Sequence, residues 1–165
     1  LRAGRTDEKI EIPAPNRRAA DAILRCYLDK GLPLADPQAG VDVLVAAMLS
    51  RLFSPNGDFA EVARVKLNDG RRLPVKGSAL LSGALLENVV NSAAQQAAVR
   101  DAQTGQEGLT AEDLQLALEN EMVSAASLLA PANVKGYVNS IPQDAQPIAV
   151  EPLLTTSSTT YVRAG

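Results

Sequence analysis

The 165-residue chain contains no histidine and no tryptophan. Without His, a Ser-His-Asp or Cys-His catalytic group cannot be assembled. His-based zinc sites and the commonest general base go with it. A single cysteine, Cys26, leaves no partner for an internal disulfide and fits a reducing cytoplasm. Cys26 falls inside a helical pattern and is expected to pack rather than to react. Aromatic residues are scarce, 3% against a hydrophobic content of 46%, so the core must be built from Leu, Val and Ala. That composition favours packed helices over an aromatic-rich sandwich. The net charge of −3 and the lack of a basic stripe argue against nucleic acid as a partner. No apolar run approaches the roughly 20 residues that span a bilayer, so no membrane partner is expected either. The longest candidate, VDVLVAAMLSRLF at 41–53, is interrupted by Arg51 and reads as a buried helix. No GxxxxGK[ST] loop is present, so this stretch cannot cradle a nucleotide's phosphates by itself. Glu119 and Glu121 are close in sequence but point in different directions on a helix, which makes them part of a solvated face.

What remains is a clear succession of elements. EKIEIPAP (8–15) alternates polar and apolar and reads as a short strand stopped by Pro13 and Pro15. Asn16 is placed to cap a helix over 17–31, with Ala20, Ile23, Leu24, Tyr27 and Leu28 inward and Gly31 as its C-cap. Val41–Phe53 is the second helix. The period then changes. FAEVARVKL and RRLPVKG flank Asn68-Asp69-Gly70, which predicts a hairpin at about 59–76. Val62 and Val65 break strict alternation, so a bulge or an edge position is expected, and Pro74 favours an edge strand. Residues 82–105 form the clearest helix, with Leu85, Leu86, Val89, Val90, Ala93, Ala97 and Ala98 in one stripe. Thr110 and Asp113 then make a capping-box variant for a helix that buries Leu114, Ala117, Leu118 and Met122. From 130 the helical period is lost, although 147–154 could form one more strand, and TTSSTT (155–160) is of low complexity. The fold class read from these patterns is mainly α with a small β component.

The opening run LRAGRTDEKIEIPAPN resembles the end of the second region of homology in AAA ATPases, L-R-P-G-R-[FL]-D-x-K-I-x-[IF]-x-x-P. Ala3 stands where Pro is usual, and Thr6 where Phe or Leu is. The resemblance implies that Arg2 and Arg5 act as arginine fingers reaching the nucleotide of a neighbouring subunit. A guanidinium's fixed, forked donors can stabilise charge on the γ-phosphoryl oxygens in the transition state. It also implies that Leu1 falls within a larger ATPase core, with Walker A, Walker B and the pore loop N-terminal to it. SGALLENVVNSAAQQAAVRD resembles the sensor-2 segment of AAA small domains. There Ser82, Gly83 and Ala84 would face the base and ribose of ATP, Gly permitting close backbone approach. Tyr27 falls where many of these proteins place a His or Tyr beside the adenine.

A hairpin between the second small-domain helix and the SGA helix is unusual among AAA proteins. With the TG-x-x-GL turn (Thr104, Gly105, Gly108, Leu109), the pattern resembles the actinobacterial proteasome-associated ATPases of the ARC family. That resemblance implies a helical lid subdomain with a hairpin insert. Residues 1–15 would end the large subdomain, 16–130 would form the lid, and 131–165 a C-terminal extension. It implies a homohexamer of identical subunits that uses ATP to unfold and translocate tagged proteins, with Mg²⁺ held only by the Walker motifs outside this stretch. A 20S proteasome partner is open, because that family docks through a terminal Gly-Gln-Tyr-Leu. Here Tyr161 lies four residues before Gly165. Either the natural C-terminus lies further on, or docking of that kind is not used. Two alternatives stay open: a non-catalytic helical interaction module, and an AAA ATPase unrelated to the proteasome. The fragment alone is not expected to hydrolyse ATP.

Overall fold

Four helices and one small sheet make up the computed structural model, which describes residues 13–155. Asn16 opens α1 (Arg17–Leu28), its Oδ1 accepting from the Ala19 N–H at 2.9 Å. The Pro-rich run before it cannot continue a helix backwards, so Asn16 is where the turn begins. Ala20, Leu24 and Leu28 recur every fourth residue and are buried, whereas Ile23 and Tyr27 are half-buried at the stripe's edge. Cys26 is exposed, contrary to the packing role expected for it. Its position, two residues past Leu24, places it off the buried stripe. The helix closes at Asp29 rather than at Gly31. Gly31, at φ +79°, turns the chain two residues later.

The second helix, α2 (Gly40–Phe53), buries Leu44, Val45, Met48, Leu49 and Leu52. Arg25 on α1 donates to Asp21 at 3.0 Å and also to Asp42 on α2, a surface clamp between the two helices. These paired carboxylates hold the Arg25 guanidinium above its usual pKa.

The sheet is antiparallel, in the order β2–β1–β3, from β1 (Ala63–Leu67), β2 (Arg72–Val75) and β3 (Pro147–Pro152). Gly70 takes φ +86° at the tip of the hairpin, its N–H donating to the Leu67 carbonyl at 3.0 Å. Pro74, which has no N–H to offer a ladder, sits on the edge strand β2. The register shifts between Lys66 and Leu67, on the β3 side, rather than at Val62 or Val65. Asn68 holds the third strand in place. Its N–H donates to the Gln146 carbonyl at 2.9 Å and its Oδ1 accepts from the Gln146 N–H at 3.1 Å. Val62, Ala63, Val65, Leu67 and Val75 turn inward and are buried.

The long helix α3 (Gly83–Thr104) buries Leu85, Leu86, Val89, Val90, Ala93 and Ala97. Ala98, expected in the same stripe, is exposed, since it lies one residue past Ala97 and thus about 100° round the helix. Full burial of a side chain such as Leu86 contributes about 1.5–3 kcal/mol relative to exposure. Helix α4 (Ala111–Ser127) buries Leu114, Ala117, Leu118 and Met122, and Thr110 and Asp113 form the reciprocal capping box. Short 3₁₀ turns at Gly77–Leu80 and Val134–Gly136 complete the chain. The architecture is a four-helix domain carrying a three-stranded sheet, mainly α with a small β component. No helix among the described residues is long and apolar enough to cross a membrane.

Candidate functional site

The residues expected to face a nucleotide meet at the start of α3. Ser82 is in extended backbone (φ −143°, ψ 163°), and its Oγ accepts from the Leu85 N–H at 3.0 Å. The Ser82 carbonyl accepts from Leu86 at 3.1 Å. Gly83 and Ala84 are then the first two helical residues, and their N–H groups have no acceptor within the helix. They lie at the positive end of the 22-residue α3, where an acceptor oxygen is favoured. Gly83 has an ordinary backbone conformation, and no described atom lies within 4 Å of where a Cβ on it would stand. Among the described residues, neither the turn nor the packing calls for its smallness.

Tyr27 projects from the last turn of α1 toward the same helix. Burial raises the phenol's pKa, and the Glu87 carboxylate on α3 raises it further. Glu87 lies four residues, about one turn, beyond Gly83. The Lys30 ammonium stands 4.6 Å from the centre of the Tyr27 ring, a cation–π contact that braces it. The structure thus brings Tyr27 beside the first turns of α3. Arg2 and Arg5 lie outside the described residues.

Beside Ser82 opens a broad cavity of about 960 Å³. Its walls come from the chain before α1 (residues 13–16), the 76–82 turn and the 133–139 segment, with Lys76, Tyr137 and Asn139 among them. The volume lies within the roughly 300–1,000 Å³ of small-molecule sites. Of the four residues expected on the cofactor side, only Ser82 lines it. Glu87 could have been anticipated from its i+4 spacing to Gly83. Tyr137 and Asn139 could not, because the 131–146 stretch has no period to place them. Among the described residues no group of three or more His, Cys, Asp or Glu side chains could hold a metal ion.

The opposite end of α3 is closed. Gly105 (φ +72°) caps it, and Gly108 (φ +93°) follows. A Cβ on Gly108 would stand 2.4 Å from the Ala35 nitrogen and 2.5 Å from the Leu34 carbonyl carbon. The approach is that close because Leu109 exchanges backbone hydrogen bonds with the 33–35 loop, donating to Pro33 at 2.8 Å and accepting from Ala35 at 3.0 Å. Arg100 bonds the Gly108 carbonyl and the Asp113 carboxylate, while Asp101 accepts from the Gly108 N–H at 3.1 Å. Burial alone would raise the Asp113 pKa, but Arg100 and the Thr110 N–H and hydroxyl outweigh it and hold the carboxyl below its usual value.

Comparison with known proteins places this geometry. Residues 15–161 match the family model described as the ARC, AAA+ ATPase lid domain. A protein of Kocuria rhizophila named "AAA ATPase forming ring-shaped complexes" is 36% identical over 129 residues, 73% of this chain and 22% of its own length. A protein of the same name from Corynebacterium efficiens is 31% identical over 150 residues, 90% of this chain and 27% of its own. Another, from Bifidobacterium animalis subsp. lactis, is 37% identical over 97 residues, 59% and 18% of the two chains. The chain thus spans about a quarter of the length of these curated relatives. It belongs to the ARC family of AAA+ ATPases and carries that family's lid domain.

Proposed function

We propose that this chain is the lid of a ring-forming ATPase that uses ATP hydrolysis to unfold and translocate tagged proteins, in the cytoplasm and for a 20S proteasome. The match to the ARC lid over residues 15–161 carries this reading, and the relatives' name describes ring-shaped complexes. Residues 1–15 end the large subdomain, residues 16–130 are the lid proper, and 131–165 extend it. Tyr27, Ser82, Gly83 and Ala84 take the adenine and ribose side of ATP. The unoccupied space at Gly83 and the two unbonded N–H groups at the head of α3 fit an acceptor-bearing ligand from outside the lid. Arg2 and Arg5 reach the nucleotide of the adjacent subunit in a homohexamer. Mg²⁺ is held by the nucleotide and by motifs N-terminal to this stretch. Because the lid joins its own core to the next subunit, its angle transmits nucleotide state around the ring.

The test is Arg5→Ala in the full-length protein. Steady ATP hydrolysis should be lost while nucleotide binding persists. Normal turnover by that variant contradicts the finger assignment.

A further inference from the structure

Glu87 has none of the usual reasons for a carboxylate on a helix. It lies in the second turn of α3, past the first-turn positions where the helix dipole favours an acid. The residues three and four before it are Ala84 and Gly83, and those three and four after it are Val90 and Asn91. No Lys or Arg is therefore spaced along α3 to pair with it. Among the described residues Glu87 makes no ion pair with any other element either. It is half-buried, so its charge has given up part of its water. A carboxylate in that position calls for donors.

Tyr27 is one of them. Burial and the Glu87 charge hold the phenol above its usual pKa, so it keeps its proton and meets the carboxylate as a donor. The Lys30 ammonium lies over the Tyr27 ring, 4.6 Å from its centre, and leaves the carboxylate unpaired. An ionised carboxylate accepts through two oxygens, and one phenol satisfies only part of that capacity. Glu87 shares its helix face with Gly83 and Ala84, three and four residues back. That face begins with the two N–H donors at the helix head and ends, about 6 Å along the axis, in a group that can only accept. The Tyr27 ring stands beside it. Donors, an aromatic flank and an acceptor, in that order, suit a planar heterocycle that carries a donor on its far edge.

We propose that Glu87 selects the base: its carboxylate accepts from the exocyclic 6-amino group of adenine and disfavours a base with no donor there. This role rests on the nucleotide lying at the head of α3, as proposed above. A purine turned the same way but carrying a 6-oxo group sets an acceptor against an acceptor. The lid thereby reads the base through a side chain outside the Ser82-Gly83-Ala84 turn.

Removing the donor from the ligand and the acceptor from the protein tests this as a cycle. Equilibrium binding of ATP and of purine riboside triphosphate, which lacks only the 6-amino group, is measured on the full-length protein and on its Glu87→Ala and Glu87→Gln variants. The parent should prefer ATP by about fivefold to tenfold. Glu87→Ala should bind the two alike, and Glu87→Gln, which keeps an acceptor oxygen, should retain part of the preference. A parent without preference overturns the proposal. So does an equal loss of affinity for both ligands in the Glu87 variants, which is what a merely structural role in orienting Tyr27 gives. Gly83→Val separates this role from the site itself. If it weakens both ligands while the Glu87 cycle shows no coupling, the nucleotide site stands and Glu87 is removed from it. If it leaves both affinities unchanged, the nucleotide does not lie at the head of α3 and both assignments fall.

Discussion

The two ends of α3 are built for opposite purposes. Its C-terminal end is closed on the chain itself: Gly108 lies against the backbone of residues 34–35, and Arg100, Asp101 and Asp113 bond across the turn. Its N-terminal end is capped by the Ser82 side chain, no described residue lies where a Cβ on Gly83 would stand, and two N–H groups have no acceptor within the helix. Glycine occurs at both ends for different reasons. At 108 the fold requires it, since φ is +93° and a Cβ would meet backbone. At 83 the described residues do not require it, since a Cβ there would meet none of them. A glycine in a family motif is therefore informative only when one asks what a methyl group there would touch.

The contrast can be broken most sharply at position 108. Gly108→Ala must strain a left-handed residue and push apart the 33–35 loop, and should cost at least about 3 kcal/mol in urea unfolding. A cost near zero would mean that the turn adapts freely. Next comes Asp113→Ala, which removes half of the capping box and leaves Arg100 without its carboxylate. A loss of about 2 kcal/mol is expected by the same measurement.

The same residue predicts a dependence on pH. The folded-state pKa of Asp113 is lowered, so its contribution is present above the unfolded value near 3.8 and is lost as pH falls through the lower folded value. Stability of the native chain should therefore decline below about pH 3.8, and Asp113→Ala should flatten that part of the profile. An unchanged acid limb would remove Asp113 from the account. Smallest of all should be Gly83→Ala, within about 0.5 kcal/mol of the parent, as for a surface position that touches nothing.

Much of this was legible beforehand, for identifiable reasons. Asn16, Ser82 and Thr110 announce helix starts because their side chains can only satisfy the first turn from the cap position. Asn68-Asp69-Gly70 announces the hairpin because Gly70 alone takes its positive φ without strain. Ala98 and Cys26 were misplaced because a pattern of small apolar residues does not fix where a stripe ends. The third strand was visible at about 147–154 and runs over Pro147–Pro152, but its docking beside β1 depends on Asn68 bonding Gln146, 78 residues apart. No local pattern reports such a contact. For the same reason Tyr27 could be aligned with the nucleotide side, whereas its contact with Glu87 emerged only from the packing of α1 on α3.

The central claim is that the head of α3 is held open for a nucleotide rather than for the lid's own packing. Its most direct test is Gly83→Val in the full-length protein, with the thermal midpoint of the nucleotide-free form and ATP affinity measured on the same preparation. The account predicts an unchanged midpoint and ATP binding weakened several-fold. A lowered midpoint, or unaltered affinity, would contradict it.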